Sequence, residues 1–219
     1  MVTMRNRGVS ISAVPTANQA RKTAPTPFQL VAGHPVLDFV NTLDWRFRST
    51  GSEELISRYD DLLRFTEQCR LLSRSEARRI RVTAQPRVCR RVLASARRFR
   101  EILAAVLYSV IDNRPPAEVS LQRLSSYFHD AQDARILSWR EGRLIWTLNR
   151  RHAPESPLWK LSSEAAALLT SEESSKIRAC SNPECRWLFL DRSRNHSRRW
   201  CDMKLCGNRI KARRFRRKQ

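Results

Sequence analysis

The chain has 219 residues, 41% of them hydrophobic, and its 42 Lys and Arg against 21 Asp and Glu give a formal net charge of +21. That length holds one medium domain, or one domain plus a small module, and the charge argues for a polyanionic partner, nucleic acid first and an anionic membrane surface second. No apolar run is long enough to span a bilayer and no apolar stretch near the start reads as a signal peptide, so the expected location is cytoplasmic.

The positive charge is unevenly spread. Residues 1–27 hold four basic residues and no acid, residues 28–175 hold 23 and 18, and residues 176–219 hold 15 and three. A uniformly arginine-rich background would not concentrate its excess in the last fifth of a chain.

Residues 1–27 have no sustained period and are broken repeatedly by Pro, Ser and Thr, which reads as a disordered basic tail. Order begins at Phe28. In "GHPVLDFVNTLDW" the proline suits a first helical turn, and Leu37, Val40 and Leu43 form an apolar stripe. A second helix is expected over 53–72, with Leu55, Tyr59, Leu62, Phe65, Cys69 and Leu72 at spacings of three and four. Ser75 is the expected cap of a third, short helix with Glu76 in its first turn. The strongest helical signal is 86–113: Val88, Val92, Ala96, Phe99, Leu103, Val106 and Val110 follow one stripe, arginines occupy the other face, and "ILAAVLYSVI" is apolar nearly all round. A further helix is expected over 116–130.

The period then changes. "RILSWREGRLIWTL" holds two β-prone runs about Glu141-Gly142, a hairpin signature. Another helix follows over 157–170. "TSEESS" reads as a linker. The expected layout is a helical domain at 28–170, a linker at 171–176 and a small module at 177–219. The fold class is mainly α with a small β-hairpin.

The module contains Cys180, Cys185, Cys201 and Cys206, two pairs with four residues inside each and fifteen between them. Paired cysteines around a hairpin-length stretch are the spacing of a tetrahedral zinc site. Two disulfides do not suit a cytosolic chain, and four buried thiols would not require paired spacing. "WLFL" reads as one strand and "HSRRW" as its return strand, with Trp187, Phe189 and Trp200 as a very small core beside the metal. His196 reads as a solvent or phosphate contact rather than a ligand. The module is expected to be treble-clef-like or zinc-ribbon-like, with one structural Zn2+. Gly207 is expected to relax the backbone after the last ligand. Cys69 and Cys89 stand alone on apolar stripes and read as core residues.

After the last cysteine, "GNRIKARRFRRKQ" reads as a basic helix whose start the metal fixes. Asn208, Arg209, Lys211, Arg213, Arg214, Arg216 and Arg217 supply its polar surface, and Ile210 and Phe215 pack back on the module. Arg192, Arg194, Arg198 and Arg199 extend that surface from the preceding hairpin. Such a surface suits phosphate contact with a few base contacts, centred on Asn208 and Arg209. Duplex DNA is the favoured partner, because exposed aromatic stacking residues are sparse; RNA is the alternative. A homodimer is expected on the general ground that DNA sites are often two-fold.

The stretch "CSNPECRWLFLDRSRNHSRRWCDMKLCGNRIKARR" closely resembles the CGNR zinc finger, whose tetrapeptide is Cys206-Gly207-Asn208-Arg209 here. "GHPVLDFVNTLDWR" and its helical continuation resemble the ABATE domain, which accompanies that finger in bacterial proteins. The resemblance covers residues 28–219 and leaves the first 27 outside. It implies a stress-related transcriptional regulator, with Cys180, Cys185, Cys201 and Cys206 as zinc ligands and Asn208, Arg209 and the helix beyond as nucleic-acid contacts.

His34, Asp38, Asn41 and Thr42 form a polar cluster near the first helix. A catalytic pair or metal ligands would use His34 and Asp38. A capping cluster is the simpler reading, because no nucleophile motif or phosphate-binding glycine loop accompanies them, and no enzyme is expected. A third reading makes them the lining of a pocket for a small effector.

Overall fold

The computed structural model describes residues 26–149 and 152–216. The expected N-terminal tail lies almost wholly outside the described residues. Those residues form a mainly α-helical architecture. Helix α1 (Pro35–Val40) is followed by a two-residue pair, β1 (Leu43–Asp44) with β2 (Glu53–Glu54). Then come α2 (Tyr59–Gln68), α3 (Arg74–Thr83), the long α4 (Pro86–Ile111) and α5 (Glu118–Asp133). A hairpin, β3 (Arg135–Arg140) with β4 (Arg143–Leu148), leads to α6 (Ser156–Leu169). A 3-10 turn at Glu172–Lys176 joins this to β5 (Ile177–Ala179) and its antiparallel partner β6 (Leu188–Leu190), and the chain closes with α7 (Asn208–Arg216).

The core is built on α4. Its stripe of Val92, Ala96, Phe99, Leu103 and Val106 is buried as the period predicts, whereas Val110 near its end is exposed. Phe39 of α1 lies between Phe65 of α2 and Phe99 of α4, with ring centroids 5.8 and 6.2 Å away. Each such side chain contributes roughly 1.5–3 kcal/mol by leaving water. Arg100 crosses from α4 beneath this layer. Its guanidinium is buried and forks onto the Glu54 carboxylate at 2.8 and 2.6 Å, with a third bond to the Thr42 hydroxyl at 3.0 Å. A buried cation is tolerable only when paired and hydrogen-bonded in this way. The same fork holds β2 against α4.

Three element boundaries differ from the sequence expectation. Leu43 leaves α1 and pairs with Glu54. Residues 53–58 are not helical; α2 starts only where the Asp61 carboxylate accepts the backbone N–H groups of Ser57 and Arg58 at 3.1 and 2.8 Å. The cap of α3 is Ser73 rather than Ser75. Its hydroxyl accepts the Glu76 N–H at 3.2 Å while the Glu76 carboxylate accepts the Ser73 N–H at 2.8 Å, a reciprocal capping box.

The β3–β4 hairpin closes through Glu141 (φ 49°) and Gly142 (φ 78°), the two left-handed residues that a tight type I′ turn needs. Its register pairs Leu137 with Trp146 and Trp139 with Leu144. These four side chains share one face, and each is more than half exposed. Cys69 and Cys89 are half-buried free thiols; burial pushes the Cys69 thiol up to about 12.

The buried core does not stop at the 3-10 turn. Ile177, Trp187, Leu188, Phe189 and Leu190 belong to the same continuous cluster as Phe39, Phe65 and Phe99. The Leu190 N–H donates to the Ala32 carbonyl at 2.8 Å. The Asn41 side chain, just past the end of α1, acts as an extra strand residue. Its amide donates to the Leu188 carbonyl at 2.9 Å, and its oxygen accepts the Leu188 N–H at 2.8 Å.

Candidate metal centre and nucleic-acid interface

The antiparallel pair β5–β6 brackets the first cysteine pair. Cys180 follows β5, and its N–H donates to the Trp187 carbonyl at 2.8 Å. Asn182 shapes the turn between them. Its carbonyl accepts the N–H groups of Cys185 and Arg186, and its side-chain oxygen accepts the Glu184 N–H at 3.2 Å. The second pair is set by Asp202, whose carboxylate accepts the N–H groups of Lys204 and Leu205 at 2.7 and 3.0 Å. A single π-type turn, Met203–Gly207, carries Cys206 back toward Cys180. Gly207 has no unusual φ here, contrary to the expected relaxation of the backbone. What it provides is room, because an added Cβ would lie 2.6 Å from the Met203 sulfur.

The four thiol sulfurs are buried and lie within 4.8 Å of one another. Cys185 Sγ and Cys201 Sγ are 3.8 Å apart. Zn–S bonds of about 2.3 Å in a tetrahedron require an edge of roughly 3.8 Å, so the spacing fits the ion. The surroundings fit as well. The Trp187 N–H points to Cys185 Sγ at 3.5 Å and the Asn182 amide to Cys206 Sγ at 3.5 Å, donors that stabilise thiolate charge. The cluster is a site for one structural Zn2+. Four sulfur ligands complete the tetrahedron and leave no position for a reacting water.

The expected return strand at "HSRRW" is not formed. β6 pairs backward with β5, and the stretch after it is a loop wound around Asp191. That carboxylate accepts the Ser193 and Arg198 N–H groups, both at 3.0 Å. A loop satisfied by a side chain has no backbone groups left in register for a ladder. Trp187 and Phe189 are buried, in the shared core rather than in one of the finger's own, and Trp200 is half-buried against it.

The basic residues divide into two groups. Arg198 is consumed internally: its guanidinium lies 4.2 Å from the Phe189 ring and donates to the carbonyls of Val31, Trp200 and Cys201. Arg192 forks onto the Glu173 carboxylate at 2.8 and 2.9 Å. By contrast, Arg194, Arg199, Asn208, Arg209, Lys211 and Arg216 are exposed. Among the described residues none of these five cations is in an ion pair. The guanidinium carbon of Arg199 lies 5.7 Å from the centre of the Trp200 ring, and that of Arg209 lies 4.8 Å from the centre of the Trp45 ring. Ile210 is half-buried. The side chains of Arg213, Arg214 and Phe215, and the whole of Arg217, lie outside the described residues. Spacing identified the ligands; Asn182, Asp202 and Trp45 carry no such signal, since their roles depend on contacts the local sequence does not encode.

Of the polar cluster near α1, the structure brings three members together. Asp38, Asn41 and Thr42 line a cavity of about 330 Å³ with Asp44, Glu53, Arg64 and Trp187. Asp38 accepts the Val31 and Ala32 N–H groups at 3.0 Å each, and burial nevertheless pushes its carboxyl up to about 6. His34 stands apart. It caps α1 by accepting the Val36 N–H at 3.2 Å, and its other ring nitrogen lies 3.9 Å from the Glu164 carboxylate. Burial lowers its pKa. His34 and Asp38 are therefore not a hydrogen-bonded pair: each is engaged with backbone groups of its own.

The family model of the CGNR zinc finger matches residues 176–219. A second family model, ABATE, described as "Putative stress-induced transcription regulator", matches residues 33–172. A search of curated proteins found no match. Among the described residues no helix is long and apolar enough to cross a membrane.

Proposed function

This chain belongs to the ABATE family and carries a CGNR zinc finger, and on that premise we propose that it is a zinc-dependent, DNA-binding transcriptional regulator. The observation that carries this reading is the set of exposed cations on the loop after β6 and on α7, none of them in an ion pair among the described residues. Zinc performs no chemistry in it. The ion holds the turn at Cys206, the turn aims α7, and Asn208 and Arg209 stand at the first positions of that helix. Arg194, Arg199, Lys211 and Arg216, with Arg213, Arg214 and Arg217, provide phosphate contacts. The matched families are a regulator and a finger rather than enzymes, and the engagement of His34 and Asp38 with backbone groups supports the same view.

Residues 28–170 act as the regulatory unit and 177–219 as the binding unit, joined at 171–176. The 330 Å³ cavity supports ligand sensing by Asp38, Asn41 and Thr42. The exposed Leu–Trp face of the hairpin supports pairing of two copies, because isolated soluble chains seldom present such a contiguous apolar patch. The reading places the protein in the cytoplasm at the nucleoid. The second reading is an RNA- or protein-interaction module; within the finger, the burial of Trp187 and Phe189 counts against stacking on single-stranded bases.

The test is competition. Binding to duplex DNA is expected to weaken steeply with added salt and to disappear with zinc removal. Structured RNA that displaces the duplex at lower concentration than unlabelled duplex does would overturn the DNA reading.

A further inference from the structure

We propose that Trp45, in the helical domain, is a positioning residue for Arg209 of the finger, so that base reading is assembled across the seam between the two parts. The proposal rests on the reading of Arg209 as a DNA contact and adds which residue aims it and what it reads.

Trp45 holds a left-handed backbone (φ 50°), a conformation that bulky residues seldom adopt. Several bonds keep it there. Its N–H donates to the Asp44 carboxylate at 2.6 Å, and its carbonyl accepts the Arg48 N–H at 2.9 Å. The preceding residue is paired in β1 with β2, which the Glu54–Arg100 fork ties to α4. The ring is therefore presented on a rigid mount. Arg48 lies 5.4 Å from it and Arg209 lies 4.8 Å from it.

A guanidinium held over a ring by cation–π attraction makes no hydrogen bond to it, so its N–H donors remain available to a partner. Among the described residues those donors on Arg209 have no acceptor, and the side chain is exposed. Asn41 and Arg198 tie the finger to the helical domain that carries the ring. A pre-aimed guanidinium fork is the chemistry that reads the O6 and N7 acceptors of guanine in the major groove. Arg48, on the same ring, brings a second cation to the edge of that contact. The recognised partner is thus duplex DNA with a guanine at the position facing Arg209, and the surface that recognises it includes the 45–48 loop.

The experiment uses the full, zinc-loaded chain. Preferred sequences are selected from a random duplex pool, and affinities are measured for a selected and a scrambled duplex. Arg209→Ala should remove a guanine preference at one position. Trp45→Leu should weaken the preference at that same position about three- to tenfold, a larger loss than it causes in scrambled-duplex affinity. The double variant should be no worse than Arg209→Ala, and Trp45→Phe should retain most of the preference. A wild-type preference in Trp45→Leu, or losses that add in the double variant, would overturn the proposal while the DNA reading stands. If the wild type selects no sequence at all, base reading by Arg209 falls, and the proposal with it. Should Trp45→Leu lose its zinc, Trp45→Met decides: it fills much of the same volume without a ring face, so a weakened guanine preference with zinc retained supports the proposal and an unchanged preference sinks it.

Discussion

Between Pro35 and Leu169 the chain is held by buried rings and aliphatic side chains gathered around α4. Between Ile177 and Arg216 it has four thiols, two three-residue strands and a run of arginines. The first part resembles an ordinary helical core. The second cannot assemble enough apolar surface of its own, and it answers this in two ways: a metal ion replaces a core at one end, and at the other the strand Leu188–Leu190 is buried in its neighbour's core. A zinc finger is often pictured as a bead on a string. Here the strand between the knuckle and the loop is a structural member of the helical domain.

Cys206→Ser presses hardest on that comparison. Bound zinc should fall from about one per chain to near zero, removing on the order of 10 kcal/mol of folding-coupled binding energy. Because the core is shared, the melting temperature of the helical part should fall as well. An unchanged melting temperature with the zinc gone would show the two parts to be independent. The next effect comes from the seam. Asn41→Ala leaves the Leu188 N–H and carbonyl buried without partners, at about 2–4 kcal/mol for the two groups, read as a lower denaturation midpoint and weaker zinc retention against a chelator. The smallest effect is confined to the helical side. The Asp38 carboxyl is raised to about 6 in the fold, above its unfolded value near 4. Between those pH values the folded state binds more protons, so the contribution of this group to stability falls as pH rises through the window. Asp38→Asn should therefore be more stable than wild type at pH 7, by on the order of 2 kcal/mol, with the advantage fading toward pH 4. Melts of both proteins across that range check it.

What could be read in advance followed from local chemistry. The four cysteines declare themselves by spacing, α4 by its stripe, and the hairpin by a Glu-Gly turn that needs two left-handed residues. What could not be read depends on distant partners. Residues 53–58 look helical in isolation, but Glu54 is claimed by Arg100 and Leu43. "HSRRW" looks like a return strand, but β6 is already paired with β5, and Asp191 winds the loop instead. Arg198 looks like a phosphate contact in the sequence and is a brace in the structure. Asn41 looks like part of a polar pocket; the same side chain lines the cavity and also completes a strand whose residues lie 147 positions away.

That last separation has a consequence in time. The chain emerges from the ribosome at about 5–20 residues per second, so Asn41 waits roughly 7–30 s for Leu188 to be made. During that interval the groove beside α1 is open, and the apolar residues that will receive β6 face water. Cys201 and Cys206 follow that strand in the chain, so the metal site is completed only after β6 has been made. The docking of β6 and the capture of the ion are thus both late events for a helical part that is made first.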